Sequence, residues 1–247
     1  MFSDFKVYPD VKEKLEAGRI VLFTGTPCQV SGLKSYLKKD YQNLYLIDNV
    51  CHGAPQQSIW KEHLAELTEG KTVESISFRD KLNGWQHYQL VIRYADGTEY
   101  NVDHDQDLYM RGFIDNITLR EACFHCKFKG VETRQSDITL GDLWGVWDFL
   151  PKMFDDKGTS LLFINSEKGK QLIDEIKGSI ITSQVDEKKA IAYNISAIKS
   201  SKPNMFREKF IKEYKKTGNL IPALEKYATP GFGLKVYRKL YSMTHKD

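Results

Sequence analysis

Apolar positions in the first third of the chain follow two alternating rhythms. Residues 10–17 have a helical period, and Arg19-Ile-Val-Leu-Phe-Thr24 is a short apolar run of the kind a buried parallel strand needs. The run breaks at Gly25-Thr26-Pro27-Cys28, and a helix follows through Leu33, Tyr36 and Leu37. A second strand, Leu44-Tyr-Leu-Ile-Asp-Asn-Val50, breaks at Cys51-His52-Gly53-Ala54-Pro55. The helical period then resumes over 57–67 through Ile59, Trp60, Leu64 and Leu67. This βαβα order predicts a parallel sheet flanked by helices.

The middle of the chain changes character. Val73 to Phe78 alternates as a half-buried strand, and the runs 87–94 and 98–102 flank Ala95-Asp96-Gly97, where Asp-Gly signals a hairpin. A helix is expected over 107–116, leading to Cys123-Phe-His-Cys126. Strands at 137–141 and 160–165 and a helix at 166–177 follow. Farther on, Phe206, Phe210 and Tyr214 recur every four residues with Ile211 beside them, and Val236, Tyr237, Leu240 and Tyr241 form a similar stripe. Such stripes pack onto the same protein or a partner. The predicted fold is α/β, with α+β character in the middle, a mixed sheet with flanking helices, and a helical basic C-terminal tail. The expected organisation is one domain over 1–185 and an extension over 186–247.

Composition narrows the class. The 247 residues are 41% hydrophobic and 28% charged, ordinary for a globular protein with a real core. No stretch approaches the ~18 apolar residues of a membrane span, and the N-terminus lacks a secretory layout, so a cytoplasmic location is expected. The formal charge of +3 is uneven. From Lys199 to Asp247 there are twelve Lys/Arg against four Asp/Glu, a net +8 that leaves −5 for the rest. A solvated lysine-rich helix surface accounts for this tail, and no nucleic-acid partner is expected.

Four cysteines in a chain of this size do not form a disulfide scaffold. Cys28 and Cys51 each lie in a Gly/Pro loop just after a predicted parallel strand, where open α/β sheets gather ligands. Cys123 and Cys126 form a C-x-x-C, a spacing that clasps one metal centre from a tight turn. Four readings remain open on these residues: a four-thiolate iron–sulfur cluster, a zinc site, a redox dithiol at 123–126, or cysteines buried as small hydrophobes. The patch Asp137-Ile-Thr-Leu-Gly-Asp-Leu-Trp-Gly145 is a strand running into a glycine-flanked turn. Its backbone suits close approach to a bulky ligand, and Trp144 and Trp147 suit stacking on a flat ring; a tight turn packed by aromatic residues is the simpler reading.

The motifs together resemble the beta subunit of coenzyme F-420-reducing hydrogenase and its dehydrogenase relatives. They are Leu22-Phe-Thr-Gly-Thr-Pro-Cys-Gln-Val-Ser-Gly-Leu33, Cys51-His-Gly, Phe78-Arg-Asp-Lys81 with Gly84-Trp85, Cys123-Phe-His-Cys126-Lys-Phe-Lys129 and Asp137–Gly145. The resemblance implies an electron-transfer oxidoreductase with a [4Fe–4S] cluster near FAD, a redox partner protein, and exchange with a deazaflavin coenzyme such as coenzyme F-420. It implies Cys28, Cys51, Cys123 and Cys126 as cluster ligands, and Gly25, Thr26, Arg79, Lys81, Asp142 and Trp144 as cofactor-binding residues. Arg134 is a further candidate for neutralising flavin phosphates, and His52 and His125 for hydrogen bonds to cluster sulfur. Relatives carry an upstream segment before the Gly-Thr-Pro-Cys loop, where this sequence has about two dozen residues. Either the chain is truncated or those functions sit on another chain, and an open cavity with weak FAD binding is expected. The rival function is a non-catalytic zinc or cluster module in a multiprotein assembly.

Overall fold

The alternating rhythms of the sequence become regular elements close to where they were expected. The structure, a computed structural model, describes residues 6–130 and 132–228. The first elements are α1 (Val7–Glu16), β1 (Val21–Gly25), α2 (Pro27–Leu37), β2 (Leu44–Asn49) and α3 (Gln57–Thr68). Strands β3 (Val73–Asp80), β4 (Gln89–Tyr94) and β5 (Glu99–Asp103) follow, then α4 (Leu108–Ile114) and the short α5 (Glu121–Phe124). Next come β6 (Ile138–Asp142), α6 (Val146–Phe149), β7 (Ser160–Ile164), α7 (Glu167–Ile176) and α8 (Glu187–Ala192). Helices α9 (Arg207–Thr217) and α10 (Leu220–Ala228) complete the described chain; the stripe expected at 236–241 lies outside the described residues. No helix among the described residues is long and apolar enough to cross a membrane.

The chain divides into two compact units, each discontinuous in sequence: 1–52 with 126–200, and 53–125 with 201–247. These units cut the chain differently from the expected domain and extension. The first unit holds a four-stranded mixed sheet in the order β1-β2-β6-β7. Strands β1, β2 and β6 run parallel, and β7 pairs antiparallel to β6. Alternation along the strands sends Leu44 and Leu46 of β2 to a core with Leu15 of α1 and Val30, Leu33 and Leu37 of α2. The intervening residues point to the other face, where Leu22, Ile47, Leu140 and Leu162 line a groove of about 890 Å³ walled by Ile173 and Ile176 of α7.

The second unit is built on the antiparallel sheet β3-β4-β5. Its β4–β5 turn is the expected Asp96-Gly97, with Gly97 in the left-handed region at φ 80°. Leu90 and Ile92 of β4 are fully buried against Ile59 of α3, Tyr109 and Met110 of α4, Phe210 of α9, and Leu220 and Leu224 of α10. The apolar stripe of the tail thus packs into a core of its own unit, leaving its lysines outward. Asp107, buried at the N-cap of α4, joins three elements: it accepts from Met110 N (2.8 Å) and Tyr100 Oη (2.9 Å) and pairs with His63 Nε2 (2.9 Å). Burial alone would raise its pKa, but His63, the Met110 amide and Tyr100 together hold it below the ordinary carboxylate value.

Candidate functional site

Three loops with chemically distinctive residues leave the carboxyl ends of adjacent parallel strands in the first unit. Gly25 ends β1, Thr26 follows it and Cys28 lies in the first turn of α2; Cys51 lies in the loop after β2; Asp142 ends β6 and Trp144 lies in the turn beyond it. The register aligns them: Gly25 pairs with Asp48, Asn49 pairs with Leu140, and Val50 N donates to Leu140 O at 2.7 Å. Ligand sites of open α/β sheets form at this edge.

Local chemistry fixes each loop. Pro27 opens α2 at the position where a missing N–H costs nothing, so Cys28 falls in the first turn. Gln29 Oε1 accepts from Thr26 N (2.8 Å), and Thr26 Oγ1 lies 3.1 Å from Cys28 Sγ. Cys28 is exposed. Tyr8 of α1 donates to Gln29 O (2.8 Å); burial and then the neighbouring Cys28 charge raise its pKa. Tyr8 is a residue of this loop that no sequence signal marked.

The turn after β6 depends on its glycines. A Cβ on Gly141 would fall 2.8 Å from Val50 Cγ2, so the two loops lie against each other only because position 141 has no side chain. Gly145 has φ 81°, caps α6, and would place a Cβ inside the Tyr193 ring. Tyr193 is held by a short hydrogen bond from its hydroxyl to Asp148, and its pKa is raised by that bond, then by the carboxylate charge and by burial. Val50, His52, Asp142, Trp144, Tyr193 and Asn194 line a cavity of about 260 Å³ here. Trp147 faces Phe154 and Tyr193 edge-on, so it belongs to the packing of the turn.

The remaining candidates are distributed over both units. Cys126 belongs to the first unit, is half-buried, and has its carbonyl bound by Ser200 Oγ at 3.0 Å. Cys123 belongs to the second, where Ala54 N donates to its sulfur at 3.3 Å. Backbone N–H donors to sulfur are a feature of cluster-binding thiolates. Arg79 of β3 and Lys81 just beyond it also belong to the second unit, with the Arg79 guanidinium 5.1 Å from the Tyr88 ring centre. His125 is exposed and sits 3.6 Å from Glu121, and His52 O accepts from Lys129 Nζ at 3.2 Å. Arg134 corrects the sequence reading: it is buried and bound to Asp48, so it is not an open phosphate-neutralising charge. Among the described residues no three His, Cys, Asp or Glu side chains stand together as a ready metal site.

The donor set fits a cluster better than it fits a hard cation. All four candidate ligands are thiols, the half-buried Cys123 sulfur accepts a backbone N–H, and Cys28 lies at a helix N-terminus.

Residues 18–188 match the family model for the C terminus of the coenzyme F420 hydrogenase/dehydrogenase beta subunit. No curated protein matches. Among solved structures, the chain is similar to one in the F420-reducing [NiFe] hydrogenase complex from Methanosarcina barkeri, determined with xenon derivatization. That similarity has 12% identity and a TM-score of 0.44, and covers 83% of this chain and 65% of that chain. This chain thus spans just under two thirds of the length of that relative. The match over residues 18–188 carries most of the sequence and brings a redox-related role with it: the chain belongs to the coenzyme F420 hydrogenase/dehydrogenase beta-subunit family, and matches its C-terminal part.

Proposed function

We propose that the chain is the iron–sulfur part of a flavin-dependent oxidoreductase, with Cys28, Cys51, Cys123 and Cys126 as ligands of one [4Fe–4S] cluster. The observation that carries this reading is the arrangement of the Cys28 loop, the Cys51 loop and the Asp142–Gly145 turn at the carboxyl ends of three adjacent parallel strands. Family membership supports it. When bound, a cluster supplies single-electron steps and a flavin couples them to two-electron hydride chemistry. The reading requires the sulfurs to be drawn together on binding, since no such group is assembled among the described residues.

The chain's own residues have defined tasks in this scheme. Ala54 N–H donates to Cys123 sulfur, and the Thr26 hydroxyl lies in hydrogen-bond reach of Cys28 sulfur. Gly141 lets the turn approach the Cys51 loop, and Gly145 holds Trp144 at the rim of the 260 Å³ cavity. That volume falls below the roughly 300–1,000 Å³ of whole-ligand pockets, so it admits the edge of a flavin or deazaflavin ring and not a dinucleotide. Arg79 and Lys81 are the proposed partners of flavin phosphate, and a second protein is the proposed electron donor.

Anaerobic titration of the reduced chain, freed of excess dithionite, tests the scheme: FAD is added at half the chain concentration, so that two clusters supply its two electrons, and coenzyme F-420 is then added with FAD present. Bleaching of the added cofactor, weakened by Trp144→Ala and Asp142→Ala, is expected. Unchanged cofactor absorbance with a fully reduced cluster would refute the assignment of a flavin-type acceptor.

A further inference from the structure

Among the described residues, the loops that carry Cys51 and Cys126 have no helix or strand to fix them. Residues 50–56 lie between β2 and α3, and residues 125–137 between α5 and β6. In the first unit a buried ion pair lies between them. Asp48, three residues before Cys51, and Arg134, eight after Cys126, have side chains only 1% and 2% exposed.

The bonding of this pair spreads over three segments. Arg134 Nη1 reaches both Asp48 carboxylate oxygens at 3.3 Å and Asn49 O at 3.5 Å, while Nη2 donates to Ala197 O at 3.0 Å. Thr139 Oγ1 donates to Asp48 at 2.5 Å and is itself bound by Asn165 Nδ2 at 2.9 Å. Gly130 N also donates to Ala197 O (3.0 Å), Lys129 Nζ reaches His52 O (3.2 Å), and Ser200 Oγ holds Cys126 O (3.0 Å). The segments 48–52, 126–134 and 197–200 are thus knitted together around the guanidinium.

A buried ion pair is a weak source of stability, because desolvation of both charges offsets their attraction. What a guanidinium offers here is geometry: a rigid fork whose donors point in fixed directions and bind several acceptors at once. We propose that Arg134 and Asp48 are positioning residues that set the placement of the Cys51 loop relative to the Cys126 loop, and through it the binding of the cluster. The inference rests on the reading of those two cysteines as ligands.

The test uses the full chain, purified anaerobically, as parent, Arg134→Lys, Arg134→Met and the neutral pair Asp48→Asn/Arg134→Met. The neutral pair removes the fork without leaving a buried charge alone, so its melting temperature is expected to stay near that of the parent. Iron release to a chelator and the electron paramagnetic resonance spectrum of the reduced protein are then measured. Loss of outer residues around a metal site typically weakens binding about 10- to 100-fold, and iron release from the neutral pair is expected to quicken by a similar factor. Its spectrum is expected to shift or broaden, with Arg134→Lys falling between it and the parent. A folded neutral pair with parental iron release and spectrum would overturn the proposal. If that variant does not fold, Arg134→Lys decides in its place, because it keeps the charge and removes the fork; parental iron release and spectrum there would equally overturn the proposal. A parent that holds no iron refutes the cluster reading itself, and the proposal with it, before any variant is compared.

Discussion

Gly145→Ala separates two demands placed on one residue of the turn after β6. The backbone there has φ 81°, where an L-residue costs about 1–2 kcal/mol. The added methyl would also overlap the ring of Tyr193, which its bond to Asp148 holds in place. Forcing extra volume into such a contact costs about 1–3 kcal/mol. The variant should therefore lose about 2–5 kcal/mol in urea denaturation. Tyr193→Ala should cost far less, because the residue is 48% exposed. In Gly145→Ala/Tyr193→Ala the overlap is gone and only the backbone strain remains. The double variant should be more stable than the sum of the singles by about 1–3 kcal/mol, the size of coupling seen between touching residues. Trp144 fluorescence should shift in Gly145→Ala and move back towards the parental value in the double variant. Additivity within about 0.5 kcal/mol would refute the claim that the Tyr193 ring dictates glycine at 145.

The buried Asp107 gives a pH-dependent signature. Its folded pKa lies below the unfolded value of about 3.9, so the stability it contributes is present above that value and lost as pH falls through the folded pKa. Asp107→Asn should flatten the acid limb of a stability–pH curve below about pH 4, and an unchanged limb would remove Asp107 as its source. Asp107→Ala also strips the N-cap of α4 and the partners of His63 and Tyr100, and should cost about 3–5 kcal/mol by chemical denaturation. Arg207, 5% exposed, pairs with Glu121 (3.3 Å), lies 4.8 Å over the Phe124 ring and donates to Ile117 O. Arg207→Met should release the 121–124 turn, seen as faster amide exchange at Cys123 than in α3; uniform exchange rates would argue against that anchoring.

Much of the scaffold was legible because it is local. Short apolar runs that break at Gly and Pro located β1 and β2, Asp96-Gly97 located the hairpin, and the placement of Cys28 and Cys51 after parallel strands followed directly. The turn at 141–145 was legible as a tight glycine-flanked turn packed by aromatic residues, which Trp147, Phe154 and Tyr193 supply. Partners far apart in sequence were not legible. Arg134 reads as a charge open to flavin phosphates, because nothing near it in sequence reveals Asp48, 86 residues away. Likewise nothing around Gly145 signals Tyr193, and nothing in α3 marks His63 as the partner of Asp107, 44 residues on. The two units escape a linear reading for the same reason: each is assembled from separated stretches of chain.

The proposed function stands or falls on four cysteines holding one iron–sulfur cluster, and metal and acid-labile sulfide analysis of the anaerobically purified chain tests it most directly. Brown protein with about four iron and four sulfide per chain, bleached by dithionite, is expected, with iron content reduced in each of Cys28→Ser, Cys51→Ser, Cys123→Ser and Cys126→Ser. Colourless protein carrying about one zinc per chain, or iron content indifferent to all four substitutions, would contradict it.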